Sequence, residues 1–417
     1  MERVKTVIVI GGGAAGFFAA IACAEANPNL KVIILEKSSK LLAKVRVSGG
    51  GRCNVTHACF DPSDLVRNYP RGGRELLGPF HVFSPENTIE WFASRGVKLK
   101  IEADGRMFPT TDDSTTIVNC LMNAAQNALV NIRMNSPVHS IHKREDNLFE
   151  LGLSDEEKML CDAVIVASGG SPSLKGFDCL KGTGHTIIEP VPSLFTFNMP
   201  HNPITQLMGI SVDPVQVKII GTKFINEGPL LITHWGMSGP AILKLSSFAA
   251  PKLAELNYNF SILIKWLPQF TEDSMRSKLN ELRKELAKKK VSTSNPFLLP
   301  KRLWEHLLNV SVTDVEKEWA QLNNEELRKL ISVLIADEYN VQGKTTFKEE
   351  FVTCGGVSLK EVDFKTMQSK KAQGLFFAGE ILDIDAVTGG FNFQSAWTTG
   401  FIAGKSLVYY LEHLSTL

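Results

Sequence analysis

The chain has 417 residues, enough for two or three packed cores, and its 44% hydrophobic and 21% charged residues are the mixture of a folded globular protein. Lys and Arg number 45 against 44 Asp and Glu, a formal net charge of +1, so no global field draws the chain to nucleic acid or an anionic membrane. No apolar run reaches the roughly 18–20 residues that span a bilayer, and the scattered cysteines, seven without a CxxC pair, fit a reducing compartment. The amino terminus lacks the apolar core of a secretion signal. The expectation is a cytoplasmic protein with a small-molecule substrate, no nucleic-acid or membrane partner, and an oligomeric state that the sequence leaves open.

Val4 to Ile10 reads as a buried parallel strand, β-branched and nearly all apolar. Gly11-Gly-Gly13-Ala14-Ala15-Gly16 follows at once, then the helix-forming run FFAAIACAEA, then Lys31 to Leu35 as a second strand closed by Glu36 and Lys37. Strand, GxGxxG, helix, strand and acid in this order make the dinucleotide-binding fingerprint. Gly11 serves the tight turn, Gly13 lets the backbone approach a pyrophosphate, and Gly16 lets the helix press on the sheet. Ala14 and Ala15 then offer helix N-terminal N–H groups to the anion. Glu36 accepts from a ribose 2′-hydroxyl and disfavours a 2′-phosphate, so the ligand is FAD or NAD(H) rather than NADP(H).

After a short helical stretch, KSSKLLAKV, comes Ser48-Gly49-Gly50-Gly51-Arg52-Cys53-Asn54. Taken alone it is a phosphate cradle, a redox thiol site or a surface turn. Five residues separate Cys53 from Cys59, which is not a dithiol spacing. Asp104-Gly-Arg106 either supplies Arg106 to a substrate carboxylate or carbonyl, or forms a tight Asp-Gly turn. Past Val138, the strand from Cys161 runs into Ala167-Ser168-Gly169, a small turn that brings the chain back beside a dinucleotide.

From about residue 190 the α/β pattern lapses. Phe195–Met199, Ile210–Ile220, Thr222–Ile225, Leu230–Thr233 and Asn257–Trp266 read as short antiparallel strands. Beyond Thr271 the texture is helical: TEDSMRSKLNELRKELAKKK, PKRLWEHLL, TDVEKEWAQL and NEELRKLISVLIADEY, the last two opening on capping-box-like polar starts. The basic run from Arg283 to Lys290 reads as a solvated helix face.

Near the carboxyl terminus a buried strand ends in Gly379-Glu380, followed by Gly389-Gly390-Phe391-Asn392 and a long helix. A carboxylate at a strand end suits a ribityl chain, and a glycine-rich helix start suits a flavin carbonyl whose charge grows on reduction. A simple nicotinamide dehydrogenase has no need of this second segment, so the cofactor is FAD. Ser48–Asn54 then reads as half of its cradle: the three glycines serve close backbone approach, Arg52 offsets phosphate charge or leans on the adenine side, Asn54 reaches the ribityl chain or ring edge, and Cys53 is a bystander.

GGGAAGFFAA, SGGGRCNVT, DGRMFP, THWGMSGPA, TCGGVS and FFAGEILDIDAVTGGFNFQSAWTTG occur in order. On these motifs the whole chain resembles the BaiN-like bacterial flavoprotein family, NAD(P)/FAD-dependent and aminoacetone oxidase-like oxidoreductases. Departures are small: Val45-Arg-Val stands where an Ile-Leu-type pair is commoner, and Gly-Phe-Asn replaces Gly-Tyr-Asn. The resemblance implies an α/β, Rossmann-type FAD-binding domain split by an inserted small β-barrel and a helical subdomain. The boundaries fall at 1–190 and 355–417 for the flavin domain, 191–268 for the barrel, 269–339 for the helices and 340–354 for a return strand. It also implies reduction of an enone or carbonyl compound, or oxidation of an amine.

For the chemistry itself, His234 and Ser238 in THWGMSGP are a proton donor and substrate clamp, or else a loop histidine with a backbone partner. The absence of a second strand–GxGxxG–helix unit leaves NAD(P)H as a transient electron donor. Two rival functions remain open at this point: a flavoprotein acting in RNA modification, and a non-catalytic flavin-binding sensor. The remaining histidines show no metal-ligand spacing.

Overall fold

The computed structural model describes residues 3–153, 157–345 and 352–413. It divides into two compact units, one taking the chain up to Ser193 and from Lys348 onward, the other Leu194–Phe347.

The first unit is built on a seven-stranded sheet. Strand β1 (Thr6–Ile10) is one of its inner strands, with helix α1 (Ala14–Ala26), strand β2 (Lys31–Leu35) and helix α2 (Ala43–Val47) following in the chain. Across the sheet the order is Val362–Asp363, Gln368–Ser369, Leu375–Phe377, Ala163–Val166, β1, β2 and Asn131–Arg133. The last five run parallel and in step, with Ile10 opposite both Leu35 and Val166. The carboxyl ends of β1, β2 and Ala163–Val166 therefore open side by side, where the strand order reverses about β1. Open α/β sheets bind ligands at this switch point.

Helix α1 is apolar on every side and is buried from Ala15 to Ala24, because it is gripped between two partners. A Cβ on Gly16 would stand 1.9 Å from the carbonyl oxygen of Gly11 on the sheet side. Opposite, Cβ atoms on Gly400 and Gly404 of the carboxyl-terminal helix (Phe391–His413) would stand 2.5 and 2.4 Å from the carbonyl oxygens of Ala15 and Ala19. Three glycines thus set the depth of this layer.

The strand that leads out of the first unit, Ile187–Ser193, pairs antiparallel with Val352–Val357, which leads back in. The return strand expected over 340–354 is two pieces: Asp337–Gln342 belongs to the second unit's sheet, Val352 onward to the first, and 346–351 lie outside the described residues.

The second unit holds an antiparallel sheet of order Asp337–Gln342, Asn259–Lys265, Ser211–Ile219, Ile225–Thr233, Gly236–Ser238, Thr196–Asn198, Lys344–Thr345. Its two outermost strands are separated in sequence by Gly343 alone, so the sheet curls until first and last meet. Helices Glu272–Glu285, Lys301–Ser311 and Asn324–Ile335 follow the expected apolar faces. TDVEKEWAQL is not the helix expected: only Trp319–Gln321 makes a 3-10 turn, and Val315 and Lys317 accept from Ser292 and Val291. The carboxylate of Glu326 explains the difference, because it takes bonds from the Thr313 amide and hydroxyl and the Lys317 ammonium. Those bonds hold its carboxyl at about 2 although burial alone would raise it.

Candidate functional site

The Gly11–Gly16 turn sits at the carboxyl end of β1. Gly11 has φ +112, and a Cβ there would meet the Ala167 carbonyl oxygen at 2.4 Å, so only glycine fits between β1 and Ala167. Gly13 differs: its φ is −95 and a Cβ would meet nothing within 4 Å. Helix α1 begins there with no side-chain cap, leaving the amides of Ala14 and Ala15 at a bare N-terminus. Gly50, Gly51 and Gly169 likewise face open space. At these positions a bound group could approach the backbone without meeting a side chain.

Glu36 ends β2 with both oxygens engaged, Oε2 accepting from Gly12 N at 2.8 Å and Oε1 from Ser38 N at 2.8 Å. Those bonds fix the carboxylate against the glycine turn, and each oxygen keeps a further lone pair for a ligand hydroxyl. Lys37 beside it is exposed and Val138 half-buried; Val138 follows a segment held to β2 by Ser136 N donating to Glu36 O.

The glycine loop has three consecutive left-handed residues, Gly49, Gly50 and Gly51, at φ +58, +68 and +85. Ser48 anchors its start by donating to Val45 O. Arg52 is engaged by the protein itself: its guanidinium donates to Glu102 at 2.6 Å and lies 3.9 Å over the Phe108 ring, with Asp112 at 3.4 Å. Arg52 is a brace between this loop and the small sheet of Thr56–His57, Arg106–Pro109 and Leu99–Ile101. Cys53 is buried, and burial pushes its thiol up to about 12, so it is no nucleophile at neutral pH. Asn54, with its amide oriented to donate to Thr56 O and accept from Gly390 N, ties the loop to the carboxyl-terminal helix.

That helix opens from Gly389 and Gly390 at φ +132 and +91. Phe391 stacks on His57, 4.6 Å between centroids, and its carbonyl accepts from Tyr69 OH. Asn392 brackets Ala386, accepting from its N and donating to its O. Gly379, at φ +74, packs so closely that a Cβ would come within 2.7 Å of Ala15 Cβ. Glu380 accepts from Lys44 at 2.6 Å and from Gly170 N at 3.5 Å. Ala167 N donates to Ile10 O, while Ser168 Oγ is buried with no partner.

Arg106 opens a strand after the Gly105 turn and is held by Asp104 at 2.7 Å, so the tight-turn reading and the arginine coexist. His234 and Ser238 lie in the second unit. His234 is exposed at the bend between two paired strands, edge-on to Trp235, and Ser238 is half-buried opposite Leu231.

Three groups at the first-unit site went unread in the sequence. Lys44 is one. His57 is another: its Nε2 is 3.1 Å from Asp104 O, its Nδ1 is buried without a partner, and burial lowers its basicity. The third is Asp385, fully buried and gripped by Arg71 and by Ser193 Oγ at 2.7 Å. Asp385 stood inside the quoted DIDAVTGGFN; Arg71 and Lys44 had no local signal.

A parallel sheet with an acid closing β2 and a bare helix start beyond a glycine turn defines the class: a Rossmann-type dinucleotide-binding protein. The family model described as HI0933-like protein Rossmann domain matches residues 5–406, and the chain belongs to that family, one of FAD-dependent oxidoreductases. It is 29% identical over 409 residues to a 3-dehydro-bile acid Δ(4,6)-reductase of Clostridium scindens, covering 95% of this chain and 98% of that protein. It is 30% identical to a ribosomal RNA dihydrouridine synthase of Escherichia coli, covering 98% and 99%. Among solved structures, a 3-ketosteroid-Δ4-(5α)-dehydrogenase from Rhodococcus jostii RHA1 superposes with a TM-score of 0.50 at 13% identity, covering 98% of each chain, a likeness of fold. No helix among the described residues is long and apolar enough to cross a membrane.

Proposed function

We propose that the chain is an FAD-dependent reductase that saturates a carbon–carbon double bond conjugated to a carbonyl. The chemistry shared by the two full-length relatives carries this reading. A Δ(4,6)-reductase of a 3-oxo steroid acid and a dihydrouridine synthase each add two hydrogens across a C=C that a neighbouring carbonyl polarises. FAD, when bound, supplies the hydride.

The protein's part is to hold that cofactor and present the substrate. Gly11, Gly13, Ala14, Ala15 and Gly16 take the pyrophosphate on the helix start. Glu36, Lys37 and Val138 receive the adenosine end, with the Ser48–Asn54 loop, Ala167, Ser168 and Gly169 along the track. Gly379 and Glu380 meet the ribityl chain, and Gly389, Gly390, Phe391 and Asn392 set the ring. Arg52, Cys53 and Asn54 act on the loop's shape. His234 with Ser238 is the candidate proton donor or substrate clamp, and Arg106 the candidate partner of a substrate carboxylate or carbonyl. The curled sheet of the second unit is read as a small β-barrel, with its helices, inserted into a cytoplasmic flavin protein. NADH or NADPH docks transiently as donor, since the chain has one fingerprint.

A free enone is the first substrate reading. The name of the Escherichia coli relative favours a second within the same chemistry, a uracil base in RNA. Anaerobic mixing of the reduced holoprotein with enones, amines and a uridine-containing transcript separates them, read by the visible flavin band and product mass. Reoxidation by an enone or by the transcript, with two hydrogens gained, supports the proposal and names its branch. Amines reducing the oxidised protein, while no conjugated substrate reoxidises the reduced form, would overturn it in favour of amine oxidation.

A further inference from the structure

The phosphate turn has acids around it but no obvious cation. Helix α1 carries no basic residue in its first or last turn, and Arg52 is engaged by Glu102 and Asp112. A pyrophosphate with two negative charges would meet Glu36 and Glu380 with only the helix dipole to offset them. Lys44 stands where that charge is missing. Leu42, two residues before it, donates from its amide to Gly12 O at 2.9 Å. Glu380, its partner at 2.6 Å, follows Gly379, which packs on Ala15. The Lys44–Glu380 pair therefore straddles the Gly12–Ala15 turn, with one partner anchored on each side of it. Lys44 is 55% exposed and Glu380 17%, so the ammonium is free to shift while the carboxylate is fixed.

We infer that Lys44 is the phosphate-binding cation of the cofactor site and that its bridge to Glu380 is a clasp the cofactor opens. This rests on the FAD reading above. Paired with Lys44, Glu380 is neutralised and does not repel an entering pyrophosphate. On binding, the ammonium turns to the phosphate oxygens, and both oxygens of Glu380 become acceptors for the ribityl hydroxyls. The clasp joins the segment before the glycine loop to the segment after the Leu375–Phe377 strand, so on exchange of partners the cofactor takes over the link between them.

The test is equilibrium titration of the cofactor-stripped protein with FAD and with ADP-ribose, which has the pyrophosphate but no ribityl chain, at low and high salt. Lys44→Ala should raise the Kd for both ligands by about tenfold at low salt, as loss of a part-exposed charge-assisted contact does, and should flatten the salt dependence. Lys44→Arg should retain most of the affinity. Glu380→Gln should weaken FAD and spare ADP-ribose. Arg276→Ala, which breaks an exposed pair with Glu272 in the second unit, should stay within about twofold. The inference is overturned if Lys44→Ala binds both ligands like the unmodified protein, or loses FAD alone, which would confine Lys44 to Glu380. An unmodified chain that binds ADP-ribose but no FAD would instead remove the flavin reading itself.

Discussion

Two glycines of the same fingerprint should fail in opposite ways when given a methyl group. In Gly16→Ala the new Cβ would lie 1.9 Å from the Gly11 carbonyl oxygen, where ordinary contact begins at 3.4 Å. Relief needs about 1.5 Å of movement by α1 or the turn. Backing away is blocked, because Gly400 and Gly404 already leave no room for a Cβ against Ala15 and Ala19. Overpacking costs about 1–3 kcal/mol, and a helix confined on both faces puts this site near about 3 kcal/mol, or roughly 6–12 °C in Tm for a unit of this size. Gly13→Ala meets nothing within 4 Å and keeps an extended backbone, so the empty protein should melt within about 0.5 kcal/mol of the parent. Its methyl, however, occupies the open space at the helix start, and FAD affinity should fall at least about tenfold by lost backbone approach. Melts of the stripped protein and FAD titrations read the two effects separately. Equal melting of Gly16→Ala and parent, or a destabilised Gly13→Ala with intact FAD affinity, would refute the packing argument.

Glu36→Gln should weaken FAD about tenfold by placing an amide donor against Gly12 N or Ser38 N; unchanged affinity would show the carboxylate to be only a loop brace. Cys53, with its thiol pushed up to about 12, should resist alkylation at pH 8 until the protein unfolds, and Cys53→Ser should keep turnover with FAD bound; rapid labelling of the native thiol contradicts this. In the second unit, burial raises the Asp337 carboxyl to about 6 against the pull of its bonds from Tyr339 OH and Trp266 Nε1. The folded state thus holds this proton more tightly than the unfolded chain. Its contribution is complete below about pH 4 and is lost as pH rises to about 6, a fall of about 3 kcal/mol. Urea midpoints across that window should slope down for the parent and flatten for Asp337→Asn; parallel curves would exclude Asp337 as the source.

Much of the first-unit site was readable because its logic is local. Gly11, Gly16 and Glu36 lie within a strand–turn–helix–strand stretch where each residue type has a backbone reason. What escaped reading depends on partners far along the chain. Arg52 looked like a phosphate ligand until Glu102 and Asp112 claimed it, and Lys44 means nothing without Glu380, 336 residues on. Asn54 and Asn392 have the polarity of ligand contacts, yet both amides are engaged by the protein's own backbone. In the second unit, TDVEKEWAQL had the propensity and start of a helix, and one buried carboxylate from the next helix redirected it, tertiary bonding overriding local preference.

The paired strands Ile187–Ser193 and Val352–Val357 have one more consequence. Ser193 stands opposite Val352, so the excursion of the chain begins and ends at neighbouring points on a shared ladder. Such a junction makes the second unit a replaceable cartridge: another sequence with close-set ends could be spliced there without disturbing the order of the parallel sheet.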